Sequence, residues 1–222
     1  MAVALSESIA PLVQSRQVID ERRPDWRAHL PTLASGDLVL RELRLSDAGS
    51  LLTMIGDDDV ARFLAPPPET QSAFRQFIRW THIKRAEGTY ACFAVVPRGM
   101  TTAIGFFQLR ALEPSFATAE WGFALGRPYW GTGVFAAGAK HLLAFAFEHI
   151  GVQRMEARAM AGNLRGNGAL RKMGAVREQV LHESFALNGQ RHDTQLWSIL
   201  EQDWRARHRA QPVTLVLPSR HH

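Results

Sequence analysis

The sequence predicts an α/β fold of the α+β kind, built on a mixed, largely antiparallel central sheet with helices packed against it. Three observations carry that expectation. Two strand-like runs, YACFAVV and TAIGFFQLR, are joined by PRGMT, a turn-forming stretch that makes them an antiparallel hairpin. Near the end, HESFAL and QRHDTQLWSIL flank Asn188-Gly189, a pair that supplies the backbone of a tight hairpin turn. Between the hairpins, Phe135, Ala139, Leu142, Leu143, Ala146 and Ile150 recur at helical spacing and form one apolar stripe.

The elements follow in order. Residues 1–34 show no clear periodicity and carry the charged patch DERRPDWR, so they read as an N-terminal extension anchored by Trp26. A single domain is expected over 35–204. It opens with LVLREL at 38–43, which alternates as a strand does. Asp47, in RLSDAGSLLTMI, sits where an N-cap would start an amphipathic helix. Three prolines at 66–68 force a break, and ETQSAFRQFIRWTHIKRAEG then carries Phe74, Phe77, Ile78 and Ile83 with helical spacing. ATAEWGFAL is a third strand after the first hairpin. VQRMEARAM is the strand beyond the striped helix, and NGALRKMG is a short helix stopped by Gly174. Residues 205–222 read as a C-terminal tail. Its PVTLVLP suits an edge strand in this sheet or in that of a second copy, which leaves a homodimer open.

Composition narrows the function. The chain has 222 residues, 46% hydrophobic and 21% charged, which suits one globular domain with a sizeable core. Cys92 is the one cysteine, so no intramolecular disulfide forms and a reducing, cytoplasmic setting is expected. The N-terminus lacks the basic start of a signal peptide, and no apolar run approaches the roughly 20 residues that cross a bilayer. No membrane partner is expected. The net charge of +5 and pI near 10.1 suggest an anionic partner. No run of Lys and Arg with interleaved aromatics is present, which argues against nucleic acid; a small polyphosphate ligand is the other anionic candidate, and the charge alone is explained first by solubility. The nine histidines are scattered without ligand spacing, so no metal site is expected.

Residues 127–140, RPYWGTGVFAAGAK, contain GTGVFA, which fits the G-x-G-x-x-A dinucleotide fingerprint. A dinucleotide fold would place the first glycine directly after a buried strand and an acid at the tip of the next. Here GRPYW intervenes, Glu156 lies inside its strand, and antiparallel strands precede the loop. Phosphate binding of a more general kind fits better. Gly131 and Gly133 lack a Cβ, so the amides of 131–136 can approach an anion where a helix N-terminus presents unpaired donors. No acidic residue lies between Glu120 and Glu148, while Arg127 and Lys140 are basic. A wholly buried strand, loop and helix would also lack acids, so the charge pattern alone supports both readings.

The order AEWGFAL, YWGTGVFAAGAKHLLAFAFE, RMEARAMAGN, NGALRKMGAV and LNGQRHDTQLWSIL resembles the GNAT superfamily of acetyl-CoA-dependent N-acetyltransferases. It is most similar to the branch that includes the ribosomal-protein acetyltransferases RimJ and RimL. The resemblance covers about residues 37–204. It implies helices on both faces of the sheet and a splayed strand pair that admits the pantetheine arm of acetyl-CoA, the co-substrate. Backbone groups of Phe123, Ala124 and Leu125 would bond that arm. The amides of Gly131, Thr132, Gly133, Val134, Phe135 and Ala136 would hold the diphosphate, and Asn163 would reach the arm from the other side. As a residue before a helix, Asn163 reads equally as its cap. The chain departs from the family pattern at Trp130 (usually Gln or Arg), Phe135 (usually small) and Ala137 (often Glu). It also has Leu170 and Gly166 where relatives place a tyrosine or a serine as general acid.

The implied reaction is direct attack of a primary amine, on a small molecule or a protein N-terminus, upon the thioester in a ternary complex. A donor near Leu125 would stabilise the oxyanion. Glu120 is the first candidate for the base that takes the amine proton, and Glu156 the second. Both also read as partners for Arg110, Arg154 and Arg158. Cys92 lies in a core strand and reads as an inert small hydrophobe. His82, His182 and His192 read as surface residues. The acceptor site is expected from 54–90 and 182–193, although Phe63, Phe74, Trp80 and Phe185 read first as core. The absent tyrosine and serine motivate an alternative, a non-catalytic acyl-CoA-binding sensor of the same fold.

Overall fold

The computed structural model describes residues 25–64, 66–208 and 215–216. Most of the expected N-terminal extension and part of the tail lie outside them. Among the described residues the strands are β1 (Thr32–Ser35), β2 (Leu38–Glu42), β3 (Tyr90–Pro97), β4 (Gly105–Ala111), β5 (Thr118–Leu125), β6 (Arg154–Met160), β7 (Val176–Leu187), β8 (Gln190–Leu200) and β9 (Leu215–Val216). The helices are α1 (Ala48–Ile55), α2 (Asp58–Ala61), α3 (Gln71–Ala86), α4 (Val134–Ala144), α5 (Leu164–Lys172) and α6 (Glu201–His208). No described helix is long and apolar enough to cross a membrane.

The strands form one sheet in the order β7-β8-β6-β5-β4-β3-β2-β1-β9. Every neighbouring pair is antiparallel except β5 and β6, which run parallel on either side of α4. The closing hairpin turns through Asn188 at φ 50° and Gly189 at φ 74°, the left-handed pair its sequence calls for.

Side-chain alternation divides the core into two layers. In β3, Ala91, Phe93 and Val95 pack on the α4 side, while Cys92, Ala94 and Val96 pack with α1 and α3 on the other. A strand buried on both faces needs no polar alternation, which is why YACFAVV is continuously apolar. On the α4 side the helix lies close to the sheet. A Cβ on Gly138 would come within 2.4 Å of the Phe107 ring. The helix continues through a π-helical turn, Phe145–Ile150, and stops at Gly151, whose φ of 91° a β-carbon would disfavour. Trp26 is buried, edge-on to Phe116 at 5.6 Å, as expected of an anchor.

Three short elements carry too little pattern to read from sequence: β1, α2 and α6. The last is polar except for Ala206 and Trp204, and the Trp204 ring lies 5.4 Å from that of Phe147. Trp80, assigned to the core from sequence, is 42% exposed and packs edge-on to Tyr90 at 4.9 Å.

Asp47 stands at the start of α1 as expected, but it does not cap that helix with its side chain. Its fully buried carboxylate turns back instead. It accepts two bonds of 2.8 Å from the Arg41 guanidinium, one of 2.8 Å from the Arg44 N–H and one of 3.1 Å from the Ala103 N–H. The pair ties β2, α1 and the turn before β4 together. Burial pushes the Asp47 carboxyl up, but the Arg41 bonds and the two N–H groups outweigh it and hold the carboxyl below 3.8. A depressed folded value means that this stabilisation is present above 3.8 and is lost as pH falls through the lower folded value. Asp47→Asn leaves the Arg41 charge buried without its partner, and a loss of about 3–5 kcal/mol in urea unfolding is expected. A wild-type midpoint would contradict this account of the pair.

Candidate functional site

The site begins where two strands part. β5 and β6 pair only over Thr118–Arg154, Ala119–Met155 and Glu120–Glu156, although both continue beyond. Alternation fixes which groups face the gap. The Ala117 carbonyl accepts from Arg154 N–H at 3.0 Å, and the Thr118 carbonyl accepts from Leu112 N–H at 2.9 Å. Odd-numbered residues of β5 therefore turn their peptide groups towards β6, and even-numbered ones towards β4. Phe123 and Leu125 aim theirs into the opening. Ala124, grouped with them from sequence, spends its peptide groups on Phe106 of β4 and offers only its methyl. The Leu125 carbonyl already accepts from the Trp130 indole N–H at 2.8 Å.

The glycine loop sits at the end of β5. Gly131 and Gly133 have φ of 78° and 89°, left-handed values, and a Cβ at either would meet nothing within 4 Å. The glycines are thus required by backbone conformation, and the space above them stays open. The first N–H of α4 bonded within the protein is that of Ala137, to the Gly133 carbonyl at 3.1 Å. The six amides before it, from Gly131 through Thr132, Gly133, Val134 and Phe135 to Ala136, find no acceptor among the described residues. Two departures from the family pattern have packing reasons. The Phe135 ring sits 4.4 Å from Phe123 and fills the space between α4 and β5. Trp130 carries the Arg165 guanidinium 4.5 Å over its ring, which links the loop to α5 across the mouth of the gap.

The two candidate carboxylates lie on the sheet face opposite α4. Glu120 Oε1 accepts from Arg158 at 2.9 Å, and Oε2 accepts from Arg110. Glu156 accepts from Arg154 at 2.9 Å and from Arg158 at 3.4 Å. Glu120 lines the large cavity described below, and Glu156 does not. The ion-pair reading available from sequence thus holds for both, and position separates them.

Asn163 caps α5, its Oδ1 accepting from Gly166 N–H at 2.8 Å. That leaves its side-chain NH2 as the donor near the gap. Sequence reasoning passed over Asn167, which does more to shape the turn. Its buried NH2 donates to the carbonyls of Met160 and Asn163, each at 2.9 Å, and its Oδ1 accepts from Trp197 Nε1 at 2.9 Å. It binds the end of β6 to α5 and both to β8. The only hint in sequence is an asparagine inside a short helix, where that residue competes poorly unless its side chain has work elsewhere.

A cavity of about 840 Å³ extends from the gap across the α1–α3 face. Its inner part is lined by Glu120, Gly122, Phe123, Arg158, Asn163 and Leu170. No tyrosine, cysteine or histidine is among its described lining residues. Leu170 is buried in the core. Tyr90 donates to Gln108 behind the wall, and burial raises its hydroxyl far above the ordinary range. The Cys92 thiol is likewise pushed up, by burial first and Glu42 second. A second cavity, about 450 Å³, lies past the glycine loop between Phe135, Lys140, Lys172 and Arg207. No group of metal-binding side chains occurs among the described residues.

Known proteins share this fold. The family model for the acetyltransferase (GNAT) domain matches residues 37–176. An uncharacterized N-acetyltransferase, p20, of Bacillus licheniformis is 24% identical over 176 residues, covering 79% of this chain and 99% of its own. A second, YoaA of Bacillus subtilis (strain 168), is 25% identical over 174 residues, covering 77% of this chain and 97% of its own. Among solved structures, the ribosomal L7/L12 alpha-N-protein acetyltransferase RimL in complex with coenzyme A superposes with a TM-score of 0.71 at 18% identity. That match covers 78% of this chain and 99% of RimL, and it shows the shared fold.

Asn167→Ala removes the acceptor of a buried indole N–H and the donor to two carbonyls. A loss of about 2 kcal/mol in stability is expected, with faster amide exchange across 163–167. Wild-type protection there would show that the turn is held by something else.

Proposed function

The chain belongs to the acetyltransferase (GNAT) domain family, and from that premise we propose that it moves the acetyl group of acetyl-CoA to a primary amine by direct attack in a ternary complex. The observation that carries this reading is that the strand gap and the amide cradle lie in line, joined by the Leu125–Trp130 bond. The gap suits an extended arm with amide groups, because Phe123 and Leu125 offer peptide groups to it as a neighbouring strand would. Asn163 lies on the opposite wall. The amides from Gly131 to Ala136 suit a diphosphate at the N-terminus of α4. Lys140, Lys172 and Arg207 supply positive charge around the smaller cavity, next to the cradle, for the remaining phosphate.

In this reading the amine nitrogen forms a bond to the thioester carbonyl carbon, and the carbon–sulfur bond breaks as the thiolate leaves. The Leu125 N–H is the nearest strand donor for charge developing on the carbonyl oxygen. Glu120 accepts the amine proton through water, its carboxylate oriented by Arg110 and Arg158. Glu156 serves to hold Arg158 in place. The proton that Glu120 took passes through solvent to the thiolate, since Leu170 and Gly166 provide no donor. The acceptor is a small-molecule amine or a protein N-terminus, as in RimL.

Thiol release with acetyl-CoA and an amine tests the reading. Glu120→Gln is expected to lower kcat at least about 100-fold while calorimetry shows unchanged acetyl-CoA affinity. A wild-type kcat would remove Glu120 from the mechanism.

A further inference from the structure

We propose that the outer half of the large cavity is an acceptor site for a monoamine carried on an aromatic or bulky apolar body, and that a bulge in β7 is built to complete it. The inference rests on the acetyl-transfer reading above and names its acceptor.

The first observation is the wall. Away from the strand gap the cavity is lined by Phe63 and Leu64 after α2, Phe77 of α3, Phe106 of β4, and Leu181 and Phe185 of β7. The Phe77 and Phe106 rings lie 5.6 Å apart and are only partly buried. Phe63 and Phe185 are half-buried and pack against neither core layer. Aromatic rings that face a cavity instead of the core gain their burial when a ligand arrives.

The second observation is charge. Glu120 is the one acidic side chain among the described lining residues, and both its oxygens already accept from arginines. A polyamine or an aminoglycoside needs several carboxylates spaced to match its ammonium groups. This wall presents none beyond the proposed base. An acidic peptide end fares no better, because Arg158 is the lining cation and is held by Glu120 and Glu156. What remains to recognise is apolar surface beside one amine.

The third observation shows that the outer wall is constructed. Leu181 pairs with Thr194 and Phe185 with His192, so residues 182–184 of β7 stand opposite Asp193 alone. Glu183 there takes a left-handed φ of 47° without being glycine. The strained segment is held from three sides. Asp193 accepts from Glu183 N–H at 2.9 Å and pairs with His182 at 3.1 Å. Arg191 donates to the Glu183 carbonyl at 2.9 Å. Ser184 donates to the Leu181 carbonyl at 2.9 Å and shares a 2.6 Å bond with Thr194. Bulges re-aim side chains, and non-glycine strain is retained where surroundings enforce it. Thr194 and His192 are two apart on β8, so the insertion keeps Leu181 and Phe185 on the face of Thr194, which lines the cavity.

The test measures CoA release at saturating acetyl-CoA with 2-phenylethylamine, ethanolamine and spermidine. The expected kcat/KM for 2-phenylethylamine exceeds that for either other amine at least about tenfold. Phe185→Ala brings the ratio of 2-phenylethylamine to ethanolamine down about tenfold with acetyl-CoA affinity unchanged. Asp193→Ala, which frees the bulge without touching the wall, lowers the same ratio in the same direction. Turnover of ethanolamine or spermidine equal to that of 2-phenylethylamine overturns the proposal while leaving acetyl transfer intact, as does an unchanged ratio in Phe185→Ala. Acetyl-CoA binding without CoA release to any amine overturns the transfer reading and this inference together.

Discussion

β5 and β6 stay together for three residue pairs and then separate, and the site exists because of that separation. Parting two strands ordinarily strands peptide groups that had partners. Here each strand is secured on its far side: β5 pairs with β4 from Gly105–Leu125 to Ala111–Ala119, and β6 pairs with β8 from Arg154–Leu200 to Met160–Thr194. The gap therefore opens between two ladders that are already satisfied elsewhere. Asn167 pins the departing end of β6, and the Trp130 indole takes the Leu125 carbonyl at the end of β5. Only a short row of peptide groups is left for a ligand.

Below the gap the strands are bound by charge. Arg110 of β4, Glu120 of β5, Arg158, Glu156 and Arg154 of β6, and Glu178 of β7 alternate in sign along one row. Arg154 first, and Ser198 second, hold the Glu178 carboxyl down at about 2. The row is partly solvated, so its contribution to stability is modest. Its larger effect is geometric. It closes the strands where they still pair, and it fixes the two oxygens of Glu120 at the floor of the cavity.

Much of this architecture is legible in the sequence because it rests on local rules. Continuous apolar residues mark β3 as doubly buried, Asn188-Gly189 demands its turn, and Gly131 and Gly133 adopt the left-handed backbone that only glycine enters freely. The arginines that pair with Glu120 and Glu156 were also visible as neighbours in the strands. What escapes is whatever depends on distant partners. Asn167 matters through Trp197, thirty positions on. The β7 bulge has no glycine to announce it and depends on Asp193 across the hairpin. The parting of β5 from β6 beyond Glu120 could be inferred only through resemblance, since AEWGFAL alternates like any half-buried strand. Which carboxylate meets the cavity is likewise a matter of tertiary packing.

The account joins the open strand edge to the amide cradle as one binding surface, with the diphosphate as its anchor. Calorimetry of acetyl-CoA against acetyl-pantetheine, which keeps the thioester arm and lacks the diphosphate, tests that joint role most directly. The account predicts that acetyl-pantetheine binds at least about 100-fold more weakly, the loss of charge-assisted bonds to the amides and nearby cations. Equal affinities would contradict it, because the glycine loop would then hold nothing.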